Sequence, residues 1–173
     1  MATLGKKTIL SLAVLVLLFI QQSCKVNYSF TGASIPPEVK TIRIANFPNN
    51  APLVNPTLSQ TFTDALRDKF QAQTGLILVN SGGDMVIEGA ITDYNTRPTA
   101  IQGDDVAALN RLSISVKVKF INYFDETQNF EQTFTRYEDY PSEQDLNSVT
   151  ETIVPQITKY LVEDIFNKAV VNW

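Results

Sequence analysis

Between Leu112 and Phe120 every second residue is apolar. Leu112, Ile114, Val116, Val118 and Phe120 alternate with Ser113, Ser115, Lys117 and Lys119. Successive side chains of a β-strand point to opposite faces, so this segment is a strand with one buried and one wet face. Such a strand belongs to a sheet covered on one side only.

The covering layer is legible in two amphipathic segments. Leu58, Phe62, Ala65, Leu66 and Phe70 recur at spacings of three and four, the signature of a helix with one apolar side. Asn55-Pro56 predicts its start, with Asn as cap and Pro in the first helical position, and Gly75 predicts its end. A second stripe, Leu146, Val149, Ile153, Ile157, Tyr160, Leu161, Ile165 and Ala169, predicts a C-terminal helix. That helix is expected to start at Ser142, with Asp145 closing an approximate capping box. Pro155 falls inside it and predicts a kink or a restart.

The other strands are shorter or less regular. Val39–Phe47 alternates around Ile42 and Ile44, Leu76–Val79 is fully apolar, and Met85–Arg97 follows after Asn80-Ser81-Gly82-Gly83-Asp84, which reads as a hairpin turn. A turn near Asp125-Glu126 leads to a last strand, about Asn129 to Tyr137. The fold class is therefore α+β, with two helices packed on one face of an antiparallel sheet of four to five strands.

The N-terminus sets the compartment. Lys6 and Lys7 precede an apolar run from Ile9 to Ile20, broken only by Ser11, and then comes Gln21-Gln22-Ser23-Cys24. This is the shape of a lipoprotein signal, and the run is shorter than the roughly 20 residues a membrane span requires. An ordinary cleaved signal and an uncleaved anchor are the other readings. Cys24 is the only cysteine in the chain, so it has no internal disulfide partner. Its place directly after the apolar run favours acylation, although Gln21 stands where a lipobox carries an aliphatic residue. The expected division is a signal peptide over 1–23, a lipidated tether over 24–37 and a single domain over 38–173.

Composition narrows the chemistry. Cleavage before Cys24 removes two lysines and no acids, which lowers the net charge of −4 to −6. An acidic chain of this kind is a poor partner for nucleic acid. There is no histidine. Histidine-dependent triads, histidine general bases and histidine metal sites are thereby excluded, and with Cys24 acylated no thiolate remains for zinc. No phosphate-binding, nucleophile-elbow or calcium-loop motif is present. These residues predict no enzyme, no catalytic residue, no metal and no cofactor, and a protein that works by binding.

Candidate contacts are few. Arg111, Lys117 and Lys119 share the polar face of one strand by parity. They read as a cationic stripe for lipid phosphates or carboxylates, or as a solvated face paired with Glu131 or Glu88 across the sheet. Gly103-Asp104-Asp105 reads as a solvated loop. Glu88 and Asp93 differ in parity and so are expected on opposite faces, too badly placed for a carboxylate pair. Tyr28, Phe30, Tyr94, Tyr123, Tyr137, Tyr140 and Trp173 are either core and edge packing or a contact surface.

The segment Tyr28–Phe70 (YSFTGASIPPEVKTIRIANFPNNAPLVNPTLSQTFTDALRDKF), with LVNSGGD from Leu78 to Asp84 and LVEDIFNKAVVNW from Leu161 to Trp173, resembles the lipopolysaccharide-assembly lipoprotein family LptE in its Bacteroidetes form. The resemblance runs through essentially the whole chain after Cys24. Its most specific parts are the Tyr-Ser-Phe-x-Gly lead-in and the Asn-Pro-Thr-Leu-Ser helix start. It implies an outer-membrane protein anchored by lipid in the periplasmic leaflet, plugging the LptD β-barrel and supporting its assembly. It also implies help in delivering lipopolysaccharide to the outer leaflet, and a fold of two helices on an antiparallel sheet. Arg111, Lys117 and Lys119 would then be candidates for lipopolysaccharide contact. Lys25 is not the aspartate associated with inner-membrane retention, and Val26-Asn27 lack the acidic pair of a surface-export signal. A free-standing periplasmic lipid carrier with an acyl cavity is the alternative, and a small hydrolase is disfavoured by the missing histidine.

Overall fold

The computed structural model describes residues 35–53, 55–99 and 108–171. Cys24, Tyr28, Phe30, Gly103-Asp104-Asp105 and Trp173 lie outside the described residues. The elements run β1 (Thr41–Ile44), α1 (Leu58–Gln73), β2 (Ile77–Leu78), β3 (Met85–Pro98), β4 (Leu109–Asn122), β5 (Phe130–Pro141) and α2 (Leu146–Val170). One five-stranded sheet has the order β2-β1-β3-β4-β5. The expected α+β class is present, with both helices on one side.

The sheet is mixed. β3, β4 and β5 form an antiparallel meander, but β1 pairs parallel to both β2 and β3. The reason is the crossover: a helix between two adjacent strands returns the chain to the starting end, which makes the pairing parallel. The expected hairpin at 80–84 is therefore not one, because β1 lies between β2 and β3. Gly82 and Gly83 take φ of 69° and 107° to cross β1. Asp84 then clamps the start of β1, accepting from the backbone N–H of Lys40 and of Thr41 (both 2.9 Å) and from the Thr41 hydroxyl (2.8 Å).

Both helix starts fall later than the pattern suggested. α1 begins after Thr57, and Asn55 caps a preceding turn by accepting from the Thr57 N–H at 3.1 Å. Its end is made by extended Thr74, whose N–H and hydroxyl both donate to the Phe70 carbonyl, and not by a left-handed glycine. Asp145 is itself the N-cap of α2, accepting from Asn147 N–H. α2 passes unbroken through Pro155, so there is no restart. Tyr160 is exposed, while Val154, Thr158, Val162 and Phe166 are buried. These four repeat every fourth residue and form a second flank, which faces α1. The helices are neighbours that run parallel: Lys69 meets Glu163 and Phe70 meets Phe166 as both chains advance.

The core lies between the layers. Ile87, Ile91, Leu112, Ile114, Val116, Val118 and Phe120 line the sheet, and Phe62, Leu66, Phe70, Ile157, Leu161, Ile165 and Phe166 line the helices, all at 0–1% exposure. Phe62→Ala is expected to cost about 3–5 kcal/mol in a denaturant titration, against a total stability of about 5–15 kcal/mol; an unchanged midpoint would contradict the packing. Asp84 supplies a pH test. Its carboxyl is held below the ordinary 3.8, first by the Lys40 N–H and then by the Thr41 hydroxyl and N–H. A lowered folded pKa gives stability that is complete above the unfolded value and lost as pH falls through the folded one. The gap in Tm between wild type and Asp84→Ala should be widest near neutrality and close below about pH 3.8.

Candidate functional site

The wet face of the sheet is where the sequence placed its candidates. β4 alternates as expected, burying the even-numbered residues from Leu112 to Asn122 and leaving Lys117 and Lys119 exposed. The register then decides what faces them. Lys119 lies between Glu88 of β3 and Glu131 of β5, and Arg111 lies opposite Asp139.

Each of the three cations has a carboxylate partner. Arg43 reaches Glu88 at 3.3 Å, Glu88 reaches Lys119 at 3.6 Å, and Lys117 reaches Glu131 at 2.5 Å. Charge thus alternates in sign from β1 to β5. The Lys117 ammonium holds the Glu131 carboxyl below its ordinary range. Glu88, Lys117, Lys119 and Glu131, with Ala90 and Thr92, line an open depression of about 530 Å³.

Arg111 belongs to a separate cluster. Its guanidinium makes two bonds to Asp139, at 2.7 and 2.8 Å, and stacks 3.7 Å above the Tyr137 ring. The paired charges raise the Arg111 pKa and lower that of Asp139. Six residues of strand, roughly 20 Å, separate Arg111 from Lys117. Between them Ser115 meets Thr135 at 2.8 Å. The structure therefore brings Lys117 and Lys119 together and leaves Arg111 apart. Sequence reasoning missed Asp139 because the last strand was expected to end near Tyr137, one turn of pleat too early. It missed Arg43 because nothing local links β1 to β3.

Parity fails on β3. The pairing passes from Ile91–Val116 to Asp93–Ser115, so Thr92 is an extra, bulged residue. A bulge reverses which residues face outward. Glu88 and Asp93, expected on opposite faces, share the wet one. They remain five residues apart, and Glu88 is paired with cations. Among the aromatics, Tyr94 and Tyr140 are buried while Tyr123 and Tyr137 are exposed, so the two readings of that group divide between them.

Among the described residues no cluster of three or more acids or cysteines could hold a metal, and no helix is long and apolar enough to cross a membrane. A groove of about 490 Å³ lies along the outer side of the helix pair, over Ala65, Pro155, Thr158 and Val162. It is open, and it is not a cavity between helices and sheet.

Glu88→Gln with Glu131→Gln should release Lys117 and Lys119 from their partners. The doubly neutralised protein is expected to bind anionic lipid vesicles more tightly at low salt, with the gain lost at high salt. Unchanged flotation would show that these lysines do not meet anionic lipid.

The LptE family model, described as lipopolysaccharide-assembly, matches residues 39–169. The fold is similar to that of a minor lipoprotein from Acinetobacter baumannii, with TM-score 0.51 and 15% identity over 76% of this chain and 92% of that one. It is also similar to a hypothetical protein from Chlamydia trachomatis, with TM-score 0.53 and 9% identity over 78% and 99%. At these identities the likeness shows the fold alone. A sequence comparison with curated proteins finds no match.

Proposed function

The chain belongs to the LptE family of lipopolysaccharide-assembly proteins, and from that premise we propose a specific role. It is a non-catalytic lipoprotein anchored through Cys24 on the periplasmic face of the outer membrane. It plugs an LptD-like β-barrel, supports that barrel's assembly and assists insertion of lipopolysaccharide into the outer leaflet. Residues 1–23 are the signal, 24–37 the tether and 38–173 the working domain.

The observation that carries this reading is the extent of the family match, which takes in all five strands and nearly all of α2. The packing agrees with a plug. The interlayer space is filled by Phe62, Phe70, Phe120 and Phe166, all fully buried, which leaves little room for the acyl cavity a carrier needs. The wet sheet face remains open, and a plug requires a broad outer surface of this kind, on the order of 800 Å² per partner for a stable contact.

Arg111, Lys117 and Lys119 are proposed as contacts for lipopolysaccharide phosphates or carboxylates. Each would exchange its present carboxylate for one on the lipid, so single substitutions should be nearly silent. Two experiments test the proposal on the full chain. In detergent, an affinity-tagged protein should bring down an LptD-like barrel, and isolation alone would overturn the plug. Neutralising all three cations should weaken lipopolysaccharide binding in a salt-dependent way while barrel capture survives. Loss of the barrel with lipid binding intact would instead make these residues part of the protein interface.

A further inference from the structure

The three most exposed large apolar side chains among the described residues gather at one end of the sheet. Tyr123 and Phe124, 65% and 55% exposed, lie in the turn after β4, and Ile77, 64% exposed, opens β2. The register places them together. β4 ends at Asn122 opposite Met85, Met85 also pairs with Ile42, and Ile77 pairs with Thr41. Three strand spacings, roughly 14 Å, separate β2 from β4. The chain enters the domain at this same end, since residues 35–40 lead directly into β1.

The turn that presents Tyr123 and Phe124 is built from inside. Asn122 is fully buried, and its side-chain oxygen accepts from the N–H of Phe124 (2.9 Å) and of Asp125 (3.2 Å). Its amide group donates to Gln128, and its backbone N–H donates to the Asn129 side chain. Asp125 accepts from Thr127 and from Gln128. The polar side chains of the turn thus bond to one another, and the aromatic pair faces outward on a fixed platform. Preorganised aromatics of this kind suit a contact, because little side-chain and loop entropy remains to be lost.

We infer that this end is a second membrane contact, at which Tyr123 and Phe124, flanked by Ile77, seat in the headgroup interface of the leaflet that holds the Cys24 anchor. The inference rests on the proposed acylation of Cys24. Ten residues lie between Cys24 and Ile35, a reach of at most roughly 40 Å, so the anchor keeps this end within that distance of the lipid. Aromatic side chains favour the interfacial zone. The charges around the patch show no cationic excess, with Glu38, Asp84, Asp125 and Glu126 against Lys40 and Lys168. The contact is therefore apolar and independent of anionic lipid, unlike that proposed for the sheet face. A tether alone leaves the domain free to rotate. A second contact fixes its orientation and with it the direction in which the sheet face points.

Site-directed spin labelling of the full acylated chain in phosphatidylcholine vesicles tests this. Acylation consumes the only native thiol, so Phe124→Cys supplies a single labelling site at an exposed position. Thr133→Cys, on the wet face of β5, is the control. At 124 the nitroxide should be severalfold more accessible to oxygen relative to a water-soluble nickel chelate than at 133. Equal, high chelate access at both positions would place the turn in water and overturn the inference. Low access to both reagents at 124 would mean that protein covers the turn, and would overturn it as well. Acyl labelling in the same preparation separates the two readings. An acylated protein with a wet turn loses the membrane contact and keeps the anchor. A protein without an acyl chain loses the anchor, and this inference falls with it.

Discussion

Gly89 has no room for a side chain, and the organisation of the domain depends on that. A Cβ there would collide with the Lys117 carbonyl on β4 and lie 2.8 Å from the Phe47 ring. Phe47 is fully buried and packs edge-on against Phe62 of α1, with centroids 5.1 Å apart. Its backbone, freed from the β1–β3 ladder, is satisfied by the helix: its N–H donates to the Thr63 hydroxyl and its carbonyl accepts from Ser59. The chain rejoins β3 where the Asn50 N–H meets the Ile91 carbonyl. One glycine thus lets a phenylalanine tie sheet to helix with its own N–H and carbonyl both paired.

A sheet closed in this way has its covered face filled and its other face free. That asymmetry shapes the functional reading. The free face is polar, and its charges are mutually compensated across four strands through Arg43, Glu88, Lys119, Lys117 and Glu131. Exposed ion pairs add little stability, so they are easily exchanged for pairs with another partner. A surface of this type tolerates water and can trade its internal pairs for those of a polar or charged partner. The most exposed apolar side chains lie elsewhere, on the turn at Tyr123 and Phe124.

The helices divide their labour. α2 carries one flank to the sheet and another to α1, and Arg136 of β5 grips Asp164 of α2 through two bonds of 2.6 and 2.7 Å. Lys69 of α1 pairs with Glu163 and sits over Phe166. Polar links therefore border an apolar seam on both sides, which keeps the two parallel helices in register over the sheet.

Much was legible in the chain itself because the signals were local. The alternation around Val116 identified β4 and its wet face, and the spacing from Leu58 to Phe70 identified α1, since burial on one side imposes periods of 2 and 3.6. The lysines of β4 were placed on that wet face, and their pairing with Glu88 and Glu131 was one of two readings. What stayed hidden depended on neighbours distant in sequence. The parallel placing of β1 between β2 and β3 needed the Asp84 clamp, formed 43 residues from Thr41. The bulge at Thr92, which turned Asp93 outward, shows only against its partner strand. The same holds for the union of Ile77, Tyr123 and Phe124 at the end where the chain enters. The sequence by itself determined the apolar faces of β4 and α1, because those follow from local period. Only the tertiary structure decided strand order, register and the company each charge keeps, because these are settled by pairings between segments far apart in the chain.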